Sequence, residues 1–293
     1  MSVLRGLTGL ARPLHLGIAA VTYVLGVGLA RYLGNETNVR MLGLGLLGAL
    51  LSQASMGLLE CVFRRTGDPL VPGETREERR VLRNAALYAS LAALAAVGFI
   101  TYVIFTAGGL TGPVFINQLL ALVVILIFAV PPLRIADRGL SELLLAVQMA
   151  HVPISAGFLL QAGSPHPLVY VCTGSLTLLL VATLVVLEFP RFGEDLSHSR
   201  ATLLTRVGWE NALRIHHLLI AGAYLMLGAA PLSGFALERF LPAFLTIPFA
   251  VLQVYLLQQM AGGARPMWTL MRANALALFV LTVYLLALSF WFH

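Results

Sequence analysis

Long apolar runs are the feature of this chain that most limits how it can fold. An α-helix needs ~17–25 apolar residues to cross a hydrocarbon core of ~30 Å. Nine runs of that kind lie near residues 14–33, 41–60, 84–107, 114–133, 139–161, 167–188, 212–230, 240–258 and 273–292. Runs this long and continuous are unsuited to barrel strands, and helices satisfy their own backbone hydrogen bonds in lipid. The sequence therefore predicts an all-α integral membrane protein, a bundle of nine transmembrane helices.

The composition agrees with a membrane protein and excludes soluble functions. Charged residues make up 11% of the chain and the mean hydropathy is +0.88, whereas about 25% of a typical soluble domain is charged. Residues 1–293 are predicted to form a single transmembrane domain in contact with membrane lipids. A basic pI of about 9.8 is typical of proteins that bind nucleic acid. The sequence contains no soluble basic face or aromatic-basic module, so no nucleic-acid partner is expected.

The arginines are distributed unevenly between the two sides of the predicted bundle. All 19 basic residues are Arg, and only Arg31, Arg40 and Arg239 fall in the connections after odd-numbered spans, which leaves sixteen on the other side. The positive-inside rule then places the N-terminus and the sixteen arginines in the cytoplasm. We expect a multi-pass protein of the inner or plasma membrane, with its C-terminus on the opposite side.

Two predicted cytoplasmic loops, 61–83 and 189–211, are long enough to cap the bundle. In the first, Pro72-Gly73 is a turn signal, and the charge pattern over residues 74–80 favours a short surface helix. The alternative is a solvated linker whose arginines fix the topology and contact lipid headgroups.

Each long loop begins with an acid–arginine–acid pattern. Glu60, Arg64 and Asp68 stand at i, i+4 and i+8 after the second span. Glu188, Arg191 and Asp195 stand at i, i+3 and i+7 after the sixth. If the helices continue, each set projects from one face. Because ionisable groups at membrane depth are expensive, two matching sets favour a shared polar pocket, the alternative being two separate interfacial ion pairs.

Several segments, in order along the chain, resemble the UbiA superfamily of membrane prenyltransferases. They are Ala11-Arg12-Pro13, Pro131-Pro132-Leu133-Arg134, Arg138-Gly139-Leu140-Ser141-Glu142-Leu143, Arg200-Ala201-Thr202-Leu203 and Arg206-Val207-Gly208. The similarity is greatest to the branch that prenylates dihydroxynaphthoate in menaquinone biosynthesis. It implies a UbiA-type bundle of nine helices with a cytoplasmic active face.

The resemblance also implies a reaction and a site. Family members transfer a polyprenyl group from its diphosphate to an aromatic quinone precursor, with Mg²⁺ held by two acidic motifs. Residues implied to bind the diphosphate substrate are Glu60, Arg64, Asp68, Arg134, Arg138, Glu188, Arg191, Asp195 and Arg200. Asp68 and Asp195 are the metal-ligand candidates. His151, two residues before Pro153, is a candidate for the acceptor or quinone pocket; the alternative is a hydrogen-bonded core histidine.

Both motifs depart from the family pattern at their central position. The family motifs read roughly NxxxDxxxD and DxxxDxxxD, and here the central acids are Arg64 and Arg191. One interpretation is that these arginines, with Arg134 or Arg138, bind diphosphate in place of metal. The other is that each arginine pairs with its flanking acids and the site is catalytically silent.

The two interpretations imply different cofactors and partners. An active enzyme uses a polyprenyl diphosphate, with Mg²⁺ as its cofactor if the family chemistry is retained. A silent homologue needs no cofactor. It would bind an isoprenoid, a quinone or a pigment tail, or serve as an accessory subunit of a larger respiratory or photosynthetic membrane complex.

Overall fold

The computed structural model describes residues 3–65, 69–71, 73–197 and 201–292. All regular structure in these residues is helical, and no strand occurs among them. The α-helices are α1 (Val3–Leu10), α2 (Pro13–Tyr32), α3 (Val39–Val62), α4 (Arg76–Thr106), α5 (Gly112–Ala129), α6 (Ser141–Ala146), α7 (Val152–Ala162), α8 (Pro167–Glu188), α9 (Phe192–Ser197), α10 (Leu203–Val207), α11 (Trp209–Gly228), α12 (Leu241–Phe244), α13 (Ile247–Ala261) and α14 (Trp268–Trp291).

Eight helical segments in the described part of the chain are long and apolar enough to cross a membrane. They confirm the predicted all-helical membrane protein. The segment Ser141–Ala162 counts as one of the eight, because a π-helical turn, Val147–His151, joins α6 to α7. The seventh predicted span, 212–230, overlaps α11, which has 20 residues but is not among the eight. The total of nine therefore stays a prediction.

Glycines allow α2 to pack in backbone contact with α7. A Cβ atom on Gly26 would lie 2.8 Å from the carbonyl carbon of Ile154, and one on Gly157 would lie 3.1 Å from the amide nitrogen of Val27. Such small residues let helices approach closely in lipid, where van der Waals packing replaces the hydrophobic effect as the main attraction between helices. Both helices bury half or more of their residues.

A threonine from α2 satisfies a backbone group that proline leaves without a partner in the neighbouring helix. Pro153 has no N–H, so the carbonyl of Met149 lacks its usual helical donor. The Thr22 hydroxyl, which is fully buried, donates to this carbonyl at 2.7 Å. The contact lies at the π-helical turn and fixes its position against α2.

The charged segment 74–80 does not form the separate surface helix that the sequence favoured. Helix α4 begins at Arg76 and runs without interruption for 31 residues. Thr75 caps its N-terminus: the hydroxyl accepts from the Glu78 amide at 3.2 Å, and the Glu78 carboxylate accepts from the Thr75 amide at 2.9 Å. The capping box therefore starts α4 at the charged residues. These charged turns are the N-terminal part of α4, the third long helix, and not a separate helix.

Candidate functional site

A polar cavity of about 570 Å³ opens at the arginine-rich end of the bundle. Residues of both acid–arginine–acid patterns line it, together with the N-terminal turn of α2 and side chains from α6 and α14. Its charged lining residues are Arg12, Glu60, Arg64, Glu142, Glu188, Arg191, Asp195 and Arg272. The predicted shared pocket thus has a counterpart in the structure, and we call it the polar cavity.

Two arginines bind the buried carboxylate of the first pattern. Glu60 is 3% exposed. Its Oε2 accepts from Nη2 of Arg12 at 2.6 Å and from Nη2 of Arg64 at 3.1 Å. Arg12 lies in the left-handed region at the N-cap of α2, where Pro13 begins the helix, so the turn between α1 and α2 directs it to the end of α3. We refer to Arg12, Glu60 and Arg64 as the arginine–glutamate triad.

The second pattern does not continue on one helical face. Helix α8 ends at Glu188, a 3₁₀ turn follows over Phe189–Arg191, and α9 starts at Phe192. The change of helix type around Pro190 alters the spacing on which the predicted pairing of Arg191 depends. Arg191 is exposed and forms no ion pair with any residue that the structure describes. Asp195 is buried, at 7% exposed.

Glu142 connects one wall of the polar cavity to the second long loop by a hydrogen bond. It is 1% exposed, and its Oε1 accepts from the backbone amide of Leu203 at 2.9 Å. The amide of Gly139 donates to the carbonyl of Ala201 at 2.8 Å, and Arg206 donates to the carbonyl of Arg138 at 3.1 Å. These hydrogen bonds hold the start of α10 against the segment that leads into α6.

The other predicted site residues lie elsewhere. Arg134 forms an ion pair with Asp137 at 3.2 Å, and Arg138 donates to the carbonyl of Pro132 at 2.6 Å; neither arginine lines the polar cavity. His151 lies in the π-helical turn and is half-buried. Asp68 and Arg200 fall outside the residues that the structure describes.

The described lining residues do not suit a pair of Mg²⁺ ions; Asp68, one of the two metal-ligand candidates, lies outside them. In the described ranges, no group of three or more His, Cys, Asp or Glu side chains could hold a metal ion. The lining supplies four carboxylates and four guanidinium groups from these ranges, so its formal charges sum to zero. Divalent metal sites need a surplus of oxygen ligands over cations, and the triad instead places two cations on one carboxylate.

Sequence reasoning missed three of the charged residues that line the cavity: Arg12, Glu142 and Arg272. Arg12 is 48 positions from Glu60, and helical spacing carries no information over that distance. Arg12 and Glu142 did lie within segments that suggested the family, and their charge inside those segments was the available signal. Arg272 stands one turn into α14 and had no such signal.

The fold and this cavity define an all-helical integral membrane protein with an ionisable pocket at one end of its helices. A family model described as the UbiA prenyltransferase family matches residues 19–276. The chain belongs to this family. No curated protein sequence matches it.

Solved structures of similar fold include UbiA homologues. A UbiA homologue from Archaeoglobus fulgidus bound to DMAPP and Mg²⁺ aligns with TM-score 0.67 and 16% identity, over 98% of this chain and 99% of that one. The same homologue bound to GPP and Mg²⁺ aligns with TM-score 0.67 and 14% identity, over 96% and 99%. A digeranylgeranylglyceryl phosphate synthase aligns with TM-score 0.63 and 13% identity, over 99% of both chains.

Proposed function

We propose that this chain is a UbiA-family protein that does not carry out magnesium-dependent prenyl transfer, and that its polar cavity binds a neutral isoprenoid lipid such as a quinone. The observation that carries the proposal is the arginine–glutamate triad. By the resemblance, Glu60 stands at the first position of the first metal-binding motif, where the family has Asn, and its carboxylate already contacts two guanidinium groups at 2.6 and 3.1 Å. A carboxylate bound in this way is a poor ligand for a metal ion.

The positive charges of the arginines at both motifs support the same proposal. At ~4 Å and an effective dielectric constant of about 20, one guanidinium repels a divalent cation by about 8 kcal/mol. Two Mg²⁺ ions near Arg64 and Arg191 would meet that repulsion at both motifs. Without metal, the lining described above is neutral overall and offers no net attraction for a diphosphate. A neutral headgroup is therefore the better match.

The apolar part of the lining suits an isoprenoid chain. Leu10, Leu14, Phe128, Leu184 and Leu276 are among its residues. A volume of about 570 Å³ lies within the ~300–1,000 Å³ of typical ligand pockets. A lipid with a ring headgroup at the arginines and its tail along these side chains would use both parts of the cavity.

A prenyl-transfer assay tests the proposal. Purified protein is given geranylgeranyl diphosphate and dihydroxynaphthoate with and without Mg²⁺, and menaquinone binding is measured separately by quenching of tryptophan fluorescence. We expect menaquinone binding and no turnover in either condition. The matched variant Arg64→Asp/Arg191→Asp, which restores acids at both central positions, is expected to gain Mg²⁺-dependent binding of geranylgeranyl diphosphate. Turnover by the native protein that requires Mg²⁺ would contradict the proposal.

A second function is favoured by Arg191. Its guanidinium lines the polar cavity without an ion pair to a carboxylate of the described ranges, and a guanidinium can bind phosphate oxygens through two parallel hydrogen bonds. In this alternative the chain is a metal-independent transferase. The C1–O bond of the polyprenyl diphosphate breaks, and its electron pair leaves with the diphosphate. A ring carbon of an aromatic quinone precursor then bonds to the resulting allylic cation. That ring carbon finally loses its proton to solvent.

The two functions give different results in EDTA. A metal-independent transferase turns over geranylgeranyl diphosphate and dihydroxynaphthoate in EDTA and loses that activity in Arg191→Ala. Arg265→Ala is the control, because Arg265 is exposed and does not line the polar cavity. No turnover in EDTA, together with menaquinone binding that Arg191→Ala leaves unchanged, supports the silent homologue.

We also propose that the arginine-rich end faces the cytoplasm in the inner or plasma membrane. Sixteen of the nineteen arginines belong to the predicted connections on that side, and orientation follows this bias. Accessibility of single cysteines introduced at Arg206 and at Glu36 to an impermeant thiol reagent in intact cells tests the orientation. Co-purification with a respiratory or photosynthetic complex would identify an accessory-subunit role.

A further inference from the structure

His15 is a polar side chain of the polar cavity to which the contacts described above give no role. It lies in the first turn of α2 and is partly buried. The two hydroxyl groups of the described lining are already engaged: Ser141 donates to Glu142 at 3.1 Å, and the hydroxyl of Thr202 accepts from the amide of Thr205 at 3.2 Å. The imidazole of His15 forms no hydrogen bond or ion pair with a residue that the structure describes. It is therefore available to a ligand.

The two ring nitrogens of His15 have different surroundings. Nδ1 is buried and has no hydrogen-bond partner in the described part of the chain. Nε2, at the outer end of the ring, is not buried in this way, and the ring lines the polar cavity. A ligand in the cavity therefore contacts His15 through Nε2.

The position of His15 in its helix decides which nitrogen carries the proton. A neutral imidazole donates from one nitrogen and accepts at the other. Nδ1 is the nitrogen nearer the backbone, at the N-terminal turn of α2, where a helix has a partial positive charge, and Arg12 at the N-cap adds a full one. This environment favours an unprotonated nitrogen, and a proton on Nδ1 would also leave a buried N–H without an acceptor. On these grounds the proton is assigned to Nε2, which presents a donor to the cavity.

We propose that His15 is a specificity-determining residue of the polar cavity, whose Nε2–H donates a hydrogen bond to a ring carbonyl oxygen of the bound lipid. This role rests on the proposed function, in which the cavity holds a neutral isoprenoid lipid. Two of the four arginines in the described lining are already bound to Glu60, and the other two, Arg191 and Arg272, are exposed, where water competes for their N–H groups. With His15 as donor, the cavity prefers a quinone to a prenylated ring that lacks carbonyl groups.

Two ligands that differ only in their ring oxygens test the hydrogen bond in the purified full-length protein. One is menaquinone with a geranylgeranyl tail, whose binding near neutral pH is measured by quenching of tryptophan fluorescence. The other has the same ring and tail with hydrogen in place of each carbonyl oxygen, and it is measured as a competitor. We expect the native protein to prefer menaquinone. His15→Phe should reduce that preference about 2- to 12-fold, in proportion to one hydrogen bond.

Two further variants separate the hydrogen bond from the packing of the ring. His15→Gln keeps an N–H donor in its amide group, so it should retain the preference for menaquinone. His217→Phe is the control, because His217 is a partly buried histidine of α11 that does not line the polar cavity. It should leave the preference unchanged.

Infrared spectroscopy of isotope-labelled menaquinone gives a readout that a purely structural role would not change. A hydrogen bond lowers the stretching frequency of the carbonyl that accepts it. We expect a lowered carbonyl frequency in the native protein and in His15→Gln, and a return toward the value in apolar solvent in His15→Phe.

The outcomes distinguish this role from the proposed function. Menaquinone binding with a preference that His15→Phe leaves unchanged overturns the role of His15, and the proposed function stands. An equal loss of affinity for both ligands in His15→Phe also overturns the role, because it shows that the ring only supports the fold. No menaquinone binding by the native protein overturns both. Should His15→Phe fail to fold, carbonyl frequencies in the native protein equal to those in apolar solvent overturn the role.

Discussion

Replacing Glu60 with alanine is expected to destabilise the protein by about 3–5 kcal/mol, the usual cost of removing one partner from a buried ion pair. Glu60 is 4% exposed in its side chain, and the guanidinium groups of Arg12 and Arg64 that bind it are on side chains 25% and 13% exposed. The substitution leaves two cations facing a cavity that has lost its central carboxylate. They then repel one another across the position that Glu60 held.

The magnitude follows from the two contacts. With charge centres ~4 Å apart and an effective dielectric constant of about 20, each attraction is worth about 4 kcal/mol before desolvation. The two together give about 8 kcal/mol, and moving three charged groups out of water offsets much of this. Because Arg12 keeps some access to solvent, it recovers part of its hydration in the variant. We therefore expect a value nearer 3 than 5 kcal/mol.

Equilibrium unfolding in mixed micelles, followed by circular dichroism, measures the effect. Glu36→Ala is the control, since Glu36 is an exposed acid without an ion pair to the described residues. Arg64→Leu and the double variant complete a cycle, in which Glu60→Ala should cost less once Arg64 is already absent. A Glu60→Ala cost no larger than that of Glu36→Ala, with no coupling to Arg64, would refute the triad as a stabilising unit.

Three further predictions concern packing and polar satisfaction within the membrane. Thr22→Val removes the donor to the carbonyl of Met149 and should lower the free energy of unfolding by about 1–3 kcal/mol, measured as above. Gly26→Ala should destabilise the protein because its Cβ would overlap the backbone of Ile154 on α7. Gly43→Ala, whose Cβ has open space around it, should be neutral or slightly stabilising. Equal effects of the two substitutions in thermal unfolding would argue against close packing of α2 and α7. Gln148→Leu should raise the melting temperature because it removes a buried oxygen, Oε1, that has no hydrogen-bond partner in the described part of the chain; a decrease would show that the amide makes a stabilising contact.

The helices could be predicted because each is a local feature. Runs of apolar residues fixed their positions to within a few residues for most segments, as with the predicted span 167–188 and α8. The largest departure is α4, whose first two turns are highly charged. Hydropathy placed its start at 84, but the capping box at Thr75 and Glu78 begins the helix at Arg76, and a charged helix end is acceptable where it leaves the hydrocarbon core.

The site was predictable only where its contacts are local. Glu60 and Arg64 form the ion pair that their i,i+4 spacing suggested, but Arg191 does not pair as its spacing suggested, because the 3₁₀ turn at Pro190 interrupts the helix. Arg12 joins Glu60 from another helix, a contact that only the tertiary structure defines. That Nδ1 of His15 lacks a partner among the described residues likewise depends on what surrounds it, and a single sequence does not contain that information.

The contacts that hold the polar cavity open do not require a metal ion. The carboxylate of Glu142 is bound to the amide of Leu203, and Arg12 and Arg64 neutralise Glu60 from within the chain. In a site that depends on divalent cations, removing them leaves carboxylates close together, and their repulsion opens the site. In the described part of this lining, carboxylates and guanidinium groups are equal in number, and the contacts of Glu60 and Glu142 join the walls from within the chain. The proposed lipid-binding role needs only such walls, and it accommodates the arginines that the resemblance places at the central positions of both motifs.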